Sequence, residues 1–157
     1  MKCAWTLSLL IALSACESSA PAPSSEPQSI AYEVLAEGSL SGEHTAGATL
    51  ITGQDAWREF WQRHTSWREP PEAEPVVDFD KHSVLAVCAG DEPSSGWRLE
   101  TRLVARIDGR IVVSAELHAP AEDTLSAQML TQPYQLLLVP RTSGTVELIL
   151  DKGASTP

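Results

Sequence analysis

The sequence predicts an α+β domain, mainly β, in which an antiparallel sheet or sandwich carries one amphipathic helix packed against it. Three observations carry this expectation. Residues 97–107 alternate between apolar and polar side chains, the period of a half-buried strand. Trp57, Phe60, Trp61 and His64 fall at i, i+3, i+4 and i+7, one face of a helix. Short apolar runs at 84–89, 134–139 and 145–150 are bounded by Gly, Pro and Ser, which punctuate strands.

In chain order, residues 30–35 and 48–51 read as strands flanking a Gly/Ser-rich turn region. Thr52 is placed to cap the helix that follows, with Asp55 three residues on, near the positive end of the dipole. Arg58, Glu59, Gln62 and Arg63 take the helix face opposite the aromatic one, so the rings dock the helix on a sheet. Pro70, Pro71 and Pro75 stop the helix, and Glu69, Glu72 and Glu74 mark a solvated loop. A strand over 83–89 contains Cys88, read as a buried, inert thiol. The polar turn 90–96 then leads into the alternating strand.

In that strand Trp97, Leu99, Thr101, Leu103, Ala105 and Ile107 face one way. Arg98, Glu100, Arg102, Arg106 and Asp108 face the other, with Val104 against the pattern. Asp108-Gly109 signals a hairpin. A strict two-residue loop pairs Ile107 with Arg110 and mixes the faces. A bulged or three-residue loop pairs Ile107 with Ile111, Ala105 with Val113 and Arg102 with Glu116. Pattern matching favours the second register. The return strand ends near Leu117, residues 121–132 form a polar loop, and 134–139 with 145–150 make a final hairpin around 140–144.

The domain sits behind an address. Met1-Lys2 precedes an apolar run over 4–15 of signal-peptide length, too short to span a bilayer permanently. Leu13-Ser14-Ala15-Cys16 resembles the lipobox of bacterial lipoproteins, which implies acyl chains on Cys16 and anchoring in a lipid bilayer. By the same resemblance Glu17, where an Asp signals inner-membrane retention, directs the protein to the outer membrane of a Gram-negative envelope. Residues 1–15 are then the lipoprotein signal peptide, and 16–29 are the lipidated Cys with a Ser/Pro/Ala tether. Residues 30–151 form the β-rich domain, and 152–157 are a flexible tail. The Pro-rich tether reaches roughly 40 Å.

Composition narrows the function. Against 11 Lys+Arg stand 21 Asp+Glu, a net charge of −10, which opposes binding to nucleic acid. Ser94 and Ser95 lie near Asp91, but no Gly-x-Ser-x-Gly elbow is present, so the expectation is no catalysis. The four His are 18 or more residues apart and three Cys are scattered, so no metal and no cofactor is expected.

The order of features resembles the PrcB C-terminal family, a protease-complex subunit domain. The residues that carry the resemblance begin with the Trp-bearing helix after Ile51-Thr52-Gly53 and Asp78-Phe79 before an apolar strand. Pro93-Ser94-Ser95-Gly96-Trp97 then enters the alternating strand, and Pro133-Tyr134 leads to Val139-Pro140. The family turn carries Gly-Gly before its aromatic residue, whereas here Ser95 precedes Gly96. The anchor, the tether and the lack of a catalytic constellation point to a membrane-tethered, non-catalytic binding or accessory lipoprotein of the bacterial envelope, and the resemblance implies a subunit of a protease complex with an envelope protease as partner. The binding surface expected from the sequence is Pro93, Ser94, Ser95, Gly96 and Trp97 together with the 121–132 loop, because loops on a rigid scaffold carry recognition. As an alternative, Glu92-Pro93-Ser94-Ser95-Gly96-Trp97 resembles the inhibitory loop of chagasin-type cysteine-protease inhibitors, which implies a protease inhibitor.

Overall fold

The structure, a computed structural model, describes residues 26–121 and 125–153. The predicted signal peptide, Cys16, Glu17 and most of the tether lie outside the described residues, as does the tail from 154.

Eight strands and one helix are present among the described residues: β1 (Gln28–Ser29), β2 (Glu33–Gly38), β3 (Gly47–Ile51), α1 (Gln54–His64), β4 (His82–Cys88), β5 (Arg98–Ile107), β6 (Arg110–His118), β7 (Tyr134–Pro140) and β8 (Val146–Lys152). They form two four-stranded sheets. An outer sheet has the order β1-β5-β6-β8 and a middle sheet the order β2-β7-β4-β3. Leu85, Val87, Leu137 and Val139 of the middle sheet pack against Val104, Ile111, Val113 and Leu117 of the outer one. The opposite face of the middle sheet, through Val84, Ala86 and Leu136, packs on Trp57, Phe60 and Trp61 of α1. The result is three layers: helix, middle sheet, outer sheet.

This layering explains the sequence patterns. β4 is buried at every position from Ser83 to Cys88 because both its faces are covered, so it reads as a continuous apolar run. Helix α1 buries Trp57, Phe60, Trp61 and His64, the predicted face. The indoles also hold the Pro-rich loop: Trp57 Nε1 donates to the Pro75 carbonyl at 3.0 Å and Trp61 Nε1 to that of Glu72 at 2.9 Å. The N-cap is Gly53, with no side-chain hydrogen bond, so Thr52 does not cap as expected.

Three further expectations are corrected. The β5–β6 turn is the strict two-residue loop, pairing Ile107 with Arg110, with Asp108 at φ 49° and Gly109 at φ 78°. Positive φ at both residues suits the right-handed twist of the flanking strands. The bulge required by the pattern lies instead between Thr101 and Leu103, in mid-strand. It turns the strand over, so Val104 enters the core while Leu103 is 41% exposed. Val104, the misfit in the sequence pattern, was the mark of that bulge. Arg102 and Glu116 still meet, through two hydrogen bonds of 2.7 and 3.0 Å.

Second, β7 and β8 form no hairpin. β7 lies between β2 and β4 in the middle sheet, whereas β8 runs parallel to β6 in the outer one. A crossing connection through 141–145 lets each apolar run bury against a different neighbour. Third, the ordered fold begins before residue 30: Gln28 and Ser29, assigned to the tether, pair with Arg106 and Ala105, and Ile30 N–H donates to the Val104 carbonyl.

Candidate functional site: two joined loops

The turn after β4 and the loop before β7 are far apart in sequence, and the structure zips them together. Glu92 and Thr131 form an antiparallel bridge, each N–H donating to the other's carbonyl at 2.8 and 2.9 Å. Ser95 N–H donates to the Ala127 carbonyl at 2.9 Å, and Ala127 N–H returns to Ser95 Oγ at 2.8 Å. Thr131 Oγ1 donates to the Ser94 carbonyl at 2.8 Å.

Ser95 serves as glue, since its hydroxyl accepts a backbone N–H that a glycine would leave unpaired. Gly96 is a glycine that geometry demands. Gly96 has φ +94°, and a Cβ there would lie 2.9 Å from Pro120 Cβ.

Other elements fix the joined loops from behind. Asp91 Oδ1 accepts from Gln132 Nε2 at 2.7 Å and from His44 Nδ1 at 2.8 Å. These bonds, Gln132 first, hold the Asp91 carboxyl below the usual carboxylate range. Glu92 is only 4% exposed and takes a hydrogen bond from Lys152 Nζ at 2.9 Å, so a buried carboxylate is paired to the end of β8.

On this fixed base, the loop presents apolar side chains outward. Leu125, Met129 and Leu130 are exposed, as are Pro93 and Gly96. Ser94 and Ser95 are half-buried, tied to the partner loop rather than to a histidine. Trp97 is half-buried at the edge of the sandwich core, and its Nε1 is buried without a hydrogen-bond partner.

The other residues weighed from the sequence have structural positions. Burial pushes the Cys88 thiol up to about 12, which keeps it protonated. Tyr134 rests edge-on against His64 at 4.3 Å between ring centroids. Arg102 bridges Glu100 and Glu116 on the outer face, while Arg106 reaches the carbonyls of Gly109 and Ser143.

One buried pair has no local signal in the sequence. His64 Nδ1 lies 2.8 Å from Ser41 Oγ, and the two residues are each 2% exposed. Burial lowers the His64 pKa to about 4, so the ring is neutral at pH 7. Ser41 Oγ also accepts the Glu43 N–H at 3.1 Å. Its place is inside the turn that docks against the end of α1, where Gly42 N–H donates to the His64 carbonyl.

The span from β4 through β7 contains both joined loops. Residues 83–140 match the PrcB C-terminal family. The match starts inside β4 and ends with β7, so the helix and β3, which also carried the resemblance in sequence, lie outside it. No curated protein and no solved structure matches the chain. The PrcB-like segment is therefore a pair of packed two-stranded units, β4 with β7 and β5 with β6, together with the loops that connect them.

Proposed function

We propose that the protein is a membrane-tethered, non-catalytic accessory lipoprotein of the bacterial envelope and a subunit of a protease complex. Its contact surface is the joined loops 91–97 and 125–132. The observation that carries this reading is the PrcB C-terminal match over 83–140, which encloses both loops. Leu125, Met129 and Leu130 stand exposed on a segment that hydrogen bonds hold in place, a surface that gains by being covered. Acylated Cys16 supplies the tether, which raises the local concentration of the domain near a membrane-bound protease.

Two measurements test this reading. Leu125→Ser, Met129→Ser and Leu130→Ser, combined in the full chain, are expected to abolish co-purification of protease activity with the protein, while its Tm stays within a few degrees. Undiminished protease recovery overturns the loop assignment. Mass spectrometry of the mature chain is expected to show an acylated Cys16 at its amino terminus, and an unmodified thiol there removes the tether. For the inhibitor reading no contact speaks, since the backbone of Ser94 and Ser95 is occupied by the 125–132 loop.

A further inference from the structure

Beside Trp97, away from the joined loops, the sandwich is open along one side. The cleft there is about 650 Å³, lined by Tyr32, Val34, Trp97, Thr101, Tyr134 and Gln135 among others. It lies between two strand edges. β1 covers only Ala105 and Arg106 of β5, so the first half of β5 pairs with β6 alone, and β2 pairs with β7 alone among the described residues. A free edge exposes backbone N–H and C=O groups that seek a further strand.

Side chains already imitate that strand at one position. Thr101 N–H donates to Gln135 Oε1 and the Thr101 carbonyl accepts from Tyr32 Oη, both at 2.7 Å. Thr101 thus turns its backbone away from β6 and into the cleft. Leu99, two residues earlier, turns the same way by strand alternation. Its partner across β6 agrees, because the Leu117 carbonyl accepts from Gly153 on the far side. No strand stands opposite Leu99 among the described residues.

Two polar side-chain atoms of the wall are also unsatisfied. Thr101, only 6% exposed, has no partner for Oγ1, and Trp97 has none for its buried Nε1. Indole N–H is a donor only, so it calls for an oxygen. A backbone edge, an indole donor and aromatic walls match the repeating carbonyls and alternating side chains of an extended chain. Charge narrows the occupant. Two carboxylates, Glu37 and Glu100, and one cation, Arg98, line the cleft, and the protein as a whole carries −10.

We propose that this cleft binds an extended, basic peptide segment of a partner protein. The segment adds to the edge of β5 at Leu99 and places a carbonyl on Trp97 Nε1. The site goes beyond the joined-loop surface and meets it only at Trp97, so either can fail alone.

The test uses the 15N-labelled full chain and the peptide Lys-Val-Thr-Val-Lys. Two controls accompany it: the same peptide N-methylated on alternate amides, and Glu-Val-Thr-Val-Glu. Expected are shifts of the Leu99 amide and the Trp97 indole N–H, with about tenfold weaker binding of the N-methylated peptide, the loss of one or two hydrogen bonds. The Glu peptide is expected to bind more weakly than the Lys peptide, and Trp97→Phe to weaken the Lys peptide several-fold. Absence of shifts at millimolar peptide, shifts confined to 91–96 and 125–132, or equal binding of the N-methylated peptide overturns the proposal. Equal binding of the Lys and Glu peptides overturns its basic character. The peptide comparison needs no variant, so it holds whether or not Trp97→Phe folds.

Discussion

The middle sheet is covered on both faces and the outer sheet on one, and the two handle polarity in opposite ways. In β4 and β7 the polar residues that enter the interior are few and each has a fixed partner. Ser83 Oγ reaches the Thr142 carbonyl, and Gln135 links Glu37 to Thr101. The outer face instead gathers Arg102, Glu100, Glu116 and His118 into a solvent-facing charge cluster. Stability therefore resides in the two buried interfaces on either side of the middle sheet, while the outer face tolerates change. Both candidate recognition surfaces lie at the margins of this arrangement, where one layer ends.

The contrast can be broken most severely at the helix contact. Trp57→Ala removes a fully buried ring between α1 and the middle sheet, and should cost about 3–5 kcal/mol in urea unfolding. Ile149→Ala, at a position 53% exposed in β8, should cost less than about 1 kcal/mol in the same assay. Equal losses would mean that the two sheets share the load.

Acid provides the next largest effect. The unfolded His64 titrates near 6.5 and the folded one near 4, so between these values the unfolded state binds more protons. The native preference for neutral His64 is fully present above pH 6.5 and is lost as pH falls toward 4, by at most about 3 kcal/mol. His64→Gln keeps a hydrogen-bonding group for Ser41 and should flatten the slope of stability between pH 4 and 6.5. An unchanged slope would assign acid sensitivity to carboxylates instead.

Gly96→Ala strains a left-handed backbone and drives a methyl into Pro120, so a loss of about 1–2 kcal/mol is expected. Gly109→Ala, at φ +78° with nothing within 4 Å of the added carbon, should lose less. A reversed order would show that Pro120 yields freely. The smallest effect belongs to the outer face. Arg102→Ala should leave the urea-unfolding midpoint nearly unchanged despite contacts to two carboxylates, because Arg102 is half exposed and solvent screens its charge. A larger loss would make the charge cluster structural.

Much of this was legible where one segment decides its own fate. The aromatic face of α1, the apolar run of β4, the Asp-Gly turn and the 91–97 loop follow from local spacing. Pairings between distant segments were not legible. Nothing near Glu92 announces Lys152, and nothing near Ser41 announces His64, because such partners are set by topology rather than spacing. β5 lies between these cases. The conflict between its Asp-Gly turn and its alternation was visible, but the choice of where to insert the extra residue was made by the twist of a two-residue turn. The apolar runs of β7 and β8 looked alike and adjacent, although they belong to different sheets. Of the expected recognition residues, Pro93, Ser94, Ser95 and Gly96 lie in the joined loops, while Trp97 turns toward the open cleft.

The parallel placement of β8 beside β6 gives this strand unusual leverage. β6 has a neighbour on one side once the β5 hairpin closes, but on the other side only when Val146–Lys152 arrives. A protease that trims it afterward would bare an inner strand to any passing edge and also strip Lys152 from Glu92. β8 thus works as a latch on the outer sheet, and cutting it would leave β6 with one side open.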